Sequence, residues 1–285
     1  MAKEKVLIVG LGEVGRPLFE LIKEIGEYEV YGLDLDEAKM KTIEQSSLPR
    51  NIDIMHICLP CPKKEKFITN VRNYLERFRP KLTIINSTVP PRTSMELYKT
   101  SNEAQIAYSP IRGVHKGIDY MKWEIKRWRK YIGGTTRQAA EAAQRHFEKV
   151  GLKTKVLASS TEAELAKLYE TTYRAWMISC FQEMHRIAVH FNANFDDAVD
   201  FLEDTHRARL DRPVMFPGEI GGHCLIPNTK LLLENYDSEF LRLILKSNEQ
   251  RKLEMENTKT KEEAEKIRKR AENLQKELMD KWLKK

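Results

Sequence analysis

The apolar positions of this chain follow two rhythms, and the change from one to the other divides it. Near the start, Lys5-Val-Leu-Ile-Val-Gly10 is a short unbroken apolar run, and a three-and-four spacing follows it to Ile25. The run predicts a strand buried on both faces and the spacing predicts a helix. Further strands are predicted at 29–34, 52–58, 82–86, 105–109, 130–133 and 153–157, and helices at 63–78, 92–101, 118–128 and 137–150. Strands alternating with helices imply an α/β fold with a doubly wound, mostly parallel sheet. A ligand would lie across the carboxyl ends of its strands.

After residue 158 the strand runs stop and only the helical spacing continues. Thr161-x-x-Glu164 reads as a capping box that opens a helix running to about Phe191. Some 30 residues of helix reach about 45 Å, longer than one core needs, so a homodimer through 159–191 is expected. A second helix is predicted at 195–210, and helix resumes at 231–235 and from 238. From about Glu254 the chain is charge-dense, with Ala264, Ile267, Ala271, Leu274 and Leu278 spaced as a two-heptad seam. That seam is expected either to pair with another chain or to dock weakly as a solvated tail. The boundaries that follow are 1–158, 159–250 and 251–285.

Composition narrows the possible partners. The 285 residues suffice for about two domains. Of the formal +7, the segment from Lys246 onward supplies +4, with thirteen Lys/Arg against nine Asp/Glu, and the remaining +3 is expected to be spread along the chain. No nucleic-acid module signature occurs, so no nucleic-acid partner is expected and a phosphorylated small molecule is the acidic partner favoured. No secretory signal or membrane-length apolar run is found, which predicts a cytoplasmic protein with reduced thiols and no membrane partner. Cys58-Leu-Pro-Cys61 has redox or zinc spacing, but no second pair completes a metal site, so packing is expected and no metal.

Several places carry chemistry. Gly10-Leu-Gly12-Glu13-Val14-Gly15 lies between a strand and a helix, where backbone N–H groups and the positive helix end meet a pyrophosphate. Asp34 ends the next strand at the distance where a carboxylate takes ribose hydroxyls, which favours NAD over NADP. Two strand-end loops, one with Leu59 and Pro60 and one with Ser87 and Thr88, should line the same crevice. Thr88 is either a water-orienting hydroxyl or a turn residue. Lys167 and Thr171, four apart on one helix, share a face. The run Arg207, Arg209, Arg212 either neutralises a phosphate or solvates the turn. Phe216-Pro-Gly218-Glu-Ile-Gly221-Gly222-His223-Cys224 seats one thiol behind paired glycines, either as a nucleophile or as a buried structural cysteine.

Taken in order, Gly10-x-Gly-x-Val-Gly15-x-Pro17, Ile57-Cys-Leu-Pro60, Ser87-Thr-Val-Pro-Pro91, Ala163-Glu-Leu-Ala-Lys167 with Tyr173-Arg-Ala175, and Pro217-Gly-x-x-Gly-Gly-His-Cys224-x-x-Pro227 resemble the UDP-glucose/GDP-mannose dehydrogenase family over about residues 4–250. The resemblance implies a Rossmann domain, a helical dimerisation domain, and two successive oxidations of a sugar C6 alcohol by NAD. It implies that Cys224 forms a thiohemiacetal and then a thioester, that Lys167 stabilises oxyanion charge, and that Thr88 attends the catalytic water. The Phe216–Cys224 loop is expected to face substrate, together with Arg112 and His115, which this chain supplies where it departs from the family, and Arg212 of the basic run.

The departures are equally specific. Thr171 stands where the family has asparagine, Asn228 where it has a general-base aspartate, and Ile111 where it has glutamate after Pro110. His115 or His223 is the candidate replacement base. Family members carry a third domain that clamps the substrate nucleotide, whereas a charged tail follows residue 250 here, which predicts a truncated form with a smaller or differently presented substrate. Two rivals remain: a single-oxidation enzyme of the β-hydroxyacid dehydrogenase type, and an NAD-binding scaffold.

Overall fold

Among the described residues, seven strands form where the apolar runs fall and join one sheet. The computed structural model describes residues 3–45, 47–101 and 104–283; Lys284 and Lys285, the end of the expected tail, lie outside the described residues. In chain order the first part is β1 (Glu4–Val9), α1 (Gly15–Ile25), β2 (Tyr28–Leu33), α2 (Glu37–Met40), β3 (Ile54–Ile57), α3 (Lys64–Phe78), β4 (Leu82–Ile85), α4 (Thr93–Lys99), β5 (Ile106–Tyr108), α5 (Ile118–Arg127), β6 (Lys130–Gly134), α6 (Arg137–Lys149) and β7 (Thr154–Val156). The order across the sheet is β2-β1-β3-β4-β5-β6-β7. Every neighbouring pair is parallel except β5–β6. Because the pleat alternates faces, Val6, Ile8 and Ile54 meet α1, α5 and α6, while Leu7, Val9, Met55 and Ile57 meet α3 and α4. The order reverses at β1, which opens the crevice between the carboxyl ends of β1 and β3.

The helical part is α7 (Ser160–His190), α8 (Phe195–Arg209), α9 (Leu225–Leu233), α10 (Glu239–Glu254) and α11 (Thr258–Leu283). The chain divides into two compact units, Met1–Lys167 and Leu168–Lys285. The expected charged tail is therefore grouped with the second unit. Its seam is not solvated: Ala264, Ile267 and Leu274 are buried, and Ile267 and Leu274 pack with Phe181, Ala188, Phe195 and Val199 of α7 and α8. About 25 cal/mol per Å2 of apolar burial favours that docking over exposure, and it uses the face that was expected to await another chain.

The α7 start also differs from expectation. Ser159 takes the cap, accepting from the Thr161 N–H at 3.1 Å and bonding the Glu162 carboxylate. Glu164 turns away instead and accepts from the Arg92 N–H at 2.6 Å and the Ser94 N–H at 2.8 Å. It thus caps α4, whose leading Arg92 sits at φ 68° with no side-chain cap of its own.

Candidate functional site

In the first unit the glycine turn is forced by close packing. A Cβ on Gly10, at φ +90°, would lie 2.5 Å from the Cys58 carbonyl oxygen, and one on Gly15 would lie 1.7 Å from the Gly10 oxygen. Gly12 instead faces open space, so the turn presents bare backbone ahead of the α1 N-terminus, as a pyrophosphate requires. Glu13 and Val14 complete this turn before α1. Asp34 accepts from the Leu11 N–H at 2.7 Å and the Asp36 N–H at 2.9 Å, with Lys39 Nζ at 3.5 Å. Burial pushes its carboxyl up, but the Asp36 and Leu11 amides and Lys39 outweigh it and hold the group below the usual range. Asp34 is therefore an anion that locks the turn to β2, a suitable acceptor for hydroxyls and a poor neighbour for a phosphate. These features fit a dinucleotide, with Gly10, Gly12, Glu13, Val14, Gly15 and Asp34 as the residues that would hold it.

The second wall comes from β3 and β4. Leu59 and Pro60 follow Cys58, whose N–H bonds the Val9 carbonyl at 2.8 Å. Ser87 Oγ donates to the Ile57 carbonyl at 3.2 Å, leaving half-buried Thr88 next along the loop. Burial pushes the Cys58 and Cys61 thiols up to about 12, which agrees with packing. Lys167 Nζ donates to the Ile111 carbonyl at 3.0 Å, so the backbone of the departed glutamate position still holds the lysine. Arg112 donates to the Arg129 carbonyl at 3.0 Å and lies over Trp128 and Tyr131. His115 Nδ1 is 3.7 Å from the Glu13 carboxylate.

In the second unit the thiol is not in mid-loop. Cys224 is the N-cap of α9, which begins six residues earlier than the sequence suggested because a proline at position three of a helix removes an N–H that has no partner there. The positive end of the helix dipole favours an anion at that place. The loop before it is braced: Gln182 Nε2 donates to the Gly218 carbonyl at 2.7 Å, and the Ile220 N–H donates to Asn248 Oδ1 at 2.6 Å. A Cβ on Gly218 would fall 2.0 Å from the Phe216 ring, whereas Gly221 faces open space and Gly222 has φ +77°. His223 is exposed. Arg212 Nη1 is engaged by Asp211 at 2.7 Å. Two departures turn out to be partners: Asn228 Nδ2 donates to Thr171 Oγ1 at 3.1 Å, and that hydroxyl donates to the Leu168 carbonyl at 3.0 Å.

Nothing in the sequence marks the polar string that runs beneath β3 and β4. Asn86 Nδ2 donates to the Ser109 carbonyl at 2.6 Å, which turns Oδ1 to His56 Nδ1 at 2.8 Å. His56 Nδ1 must then carry a proton and Nε2 must accept, so His146 donates at 2.9 Å and accepts from Tyr28 at 3.1 Å. Lys130 Nζ donates to the Ser109 and Pro110 carbonyls at 3.1 and 2.8 Å, and burial pulls its ammonium down to about 7. Glu164, expected in a capping box, is buried instead; burial, only partly offset by the Ser94 and Arg92 bonds, pushes it up to about 6.

Comparison with known proteins follows the same division. Residues 161–250 match the family model described as UDP-glucose/GDP-mannose dehydrogenase family, central domain. A UDP-N-acetyl-D-mannosamine dehydrogenase of Methanococcus aeolicus is 28% identical over 264 residues, covering 78% of this chain and 58% of that protein. The solved UDP-D-ManNAc dehydrogenase of Pyrococcus horikoshii superposes with a TM-score of 0.73 at 21% identity, covering 86% of this chain and 68% of the other. A 3-hydroxyisobutyrate dehydrogenase of Mycobacterium tuberculosis superposes at 0.66 and 14% identity, covering 90% and 95%. The chain thus spans 58 to 60% of the length of the first curated relatives it matches.

Proposed function

From the match of residues 161–250 to the model of the UDP-glucose/GDP-mannose dehydrogenase family, central domain, we propose that the protein is a dehydrogenase that oxidises the C6 alcohol of a sugar nucleotide, or a related phosphorylated sugar, to the carboxylate with NAD. The observation that carries the reading is Cys224 at the head of α9, behind Gly221 and a left-handed Gly222. The glycine turn and Asp34 would hold NAD, which when bound would serve as the two-electron acceptor at each of two stages. At the first, Lys167 offers positive charge to the oxygen as the alcohol loses its proton. The Cys224 thiolate then adds to the aldehyde carbon, and the oxygen takes a proton to give a thiohemiacetal. After the second oxidation the group is a thioester. Water, oriented by the Thr88 hydroxyl, attacks its carbon, the C–S bond breaks, and carboxylate and thiol are released. Asn228 cannot accept the water's proton, so hydrolysis is the slow stage of this chain. A cytoplasmic homodimer through α7 is part of the same proposal, supported by exposed Tyr169, Tyr173, Ile187 and Phe191.

A one-oxidation reading, on a smaller hydroxyacid-like substrate, is favoured by the near full-length superposition on the 3-hydroxyisobutyrate dehydrogenase. Counting NADH per substrate separates the two, using UDP-N-acetylmannosamine and UDP-glucose with the wild type and with Asn228→Asp. Two NADH per substrate, with faster steady-state turnover in Asn228→Asp, is expected. One NADH with free aldehyde-level product would replace the four-electron reading by the shorter one.

A further inference from the structure

Along the chain from Arg112 through α5 to Tyr131, one face of the first unit gathers charge and aromatic area together. Residues 112–131 carry seven Lys/Arg against two Asp/Glu, a net +5, so with +4 from residue 246 onward the rest of the chain is −2. The charge outside the last segment is therefore concentrated, not spread as composition suggested. Its side chains interleave. Lys116 Nζ lies 5.4 Å from the Tyr120 ring, and Tyr120 lies 5.5 Å from Trp123. Arg127 lies 4.9 Å over Trp123 and 5.0 Å over Trp128, and Arg112 lies 4.9 Å over Trp128 and 5.3 Å over Tyr131. The α5 helix turns Met121, Glu124 and Ile125 into the core, leaving Trp123 and Lys126 outward. Val114, Ile118 and Trp123 are 54, 43 and 48% exposed beside them.

We propose that this face binds the anionic headgroup surface of a lipid bilayer, lying on it as a peripheral patch. Exposed Val114 and Ile118 next to Tyr120, Trp123 and Trp128 are the apolar and amphipathic groups that enter the headgroup boundary, and Lys116, Lys126 and Arg129 supply charge complementary to anionic lipid. Glu124 is buried and accepts from the Trp128 indole at 2.6 Å, and Lys122 is neutralised by Asp119 at 2.9 Å and Glu24 at 2.6 Å, so Lys116, Lys126 and Arg129 are the charges offered to lipid. Single-stranded nucleic acid fits less well. It needs open ring faces for base stacking, and here Trp123, Trp128 and Tyr131 already carry guanidinium groups. Among the described residues no helix is long and apolar enough to cross a membrane, and a face of this kind leaves no apolar run in the sequence to announce it.

The test is sedimentation of the full chain with vesicles of phosphatidylcholine alone and of equimolar phosphatidylcholine and phosphatidylglycerol. The protein should pellet with the anionic vesicles only, and high salt should release it. The double variant Lys126→Glu, Arg129→Glu should bind at least about 25-fold more weakly, taking roughly fivefold per basic residue. Trp123→Ser should weaken binding without charge change, with unaltered circular dichroism and NAD affinity in both variants. No pelleting with anionic vesicles, or full binding by the double variant, would overturn the proposal. Tighter binding to oligodeoxythymidine than to the vesicles would assign the face to single strands instead.

Discussion

The two units bury polar groups in opposite ways. In the first, the sheet is covered on both faces, so a side chain beneath it has no route to water. His56, His146 and Asn86 are accordingly neutral and answer one another. In the second, helices meet along their flanks, and long side chains reach across with charge. Arg251, fully buried, bonds the Gln182 carbonyl at 2.6 Å and His185 at 3.2 Å. Arg270 reaches Asp196, Asp200 and Glu203, Lys266 meets Asp196 at 2.8 Å, and Arg207 meets Glu277 at 2.6 Å. Beneath the parallel sheet the imidazoles, Lys130 and Glu164 are met by dipoles, whereas the helical layer pairs ions with ions. Protonation should therefore trouble the first unit and salt the second.

The largest break would come in the second unit's seam. Ile267→Asp puts a carboxylate where the side chain is 1% exposed, and should cost more than about 4 kcal/mol. Protease cutting within 258–279 and rapid amide exchange there would show α11 released; undiminished protection would mean the seam does not hold it.

Next comes acid. Burial holds His56 down to about 4 and His146 well below its ordinary value, while both would titrate near 6.5 when unfolded. Between those values the unfolded state binds more protons, so stability is full above 6.5 and falls as pH drops towards 4. His56 alone accounts for roughly 3 kcal/mol. Amide exchange across β3 and α6 should accelerate over that window and be insensitive to salt. A flat profile would mean that the imidazoles are not held neutral.

The smallest effect is Arg270→Ala, which removes the cation shared by three carboxylates and should destabilise α8 and α11 by about 1 kcal/mol at low salt and less at high salt. Equal loss at both ionic strengths would point to packing of the arginine stem.

Elements were far more legible than partnerships. The strands could be read because a strand buried on both faces is a plain apolar run, and the glycine turn because strand, glycines and helix occur in order. His146 could not: a single imidazole in a helical pattern looks the same whether it faces water or His56, and only the fold supplies the partner. Glu164 was misplaced because two overlapping patterns, Ser159-x-x-Glu162 and Thr161-x-x-Glu164, both satisfy the capping rule, and the helix could use one. The same holds for Asn228 and Thr171. Each departs from the family alone in sequence, and only in space do they form a pair.

The hydrogen-bond string in the first unit has a direction, with Tyr28 donating to His146, His146 to His56, His56 to Asn86 and Asn86 to the Ser109 carbonyl. No member can be exchanged singly, since each replacement strands a donor or an acceptor in the next. Over descent these positions would be inherited as a set, and a lineage that lost one would be expected to turn the whole row apolar together.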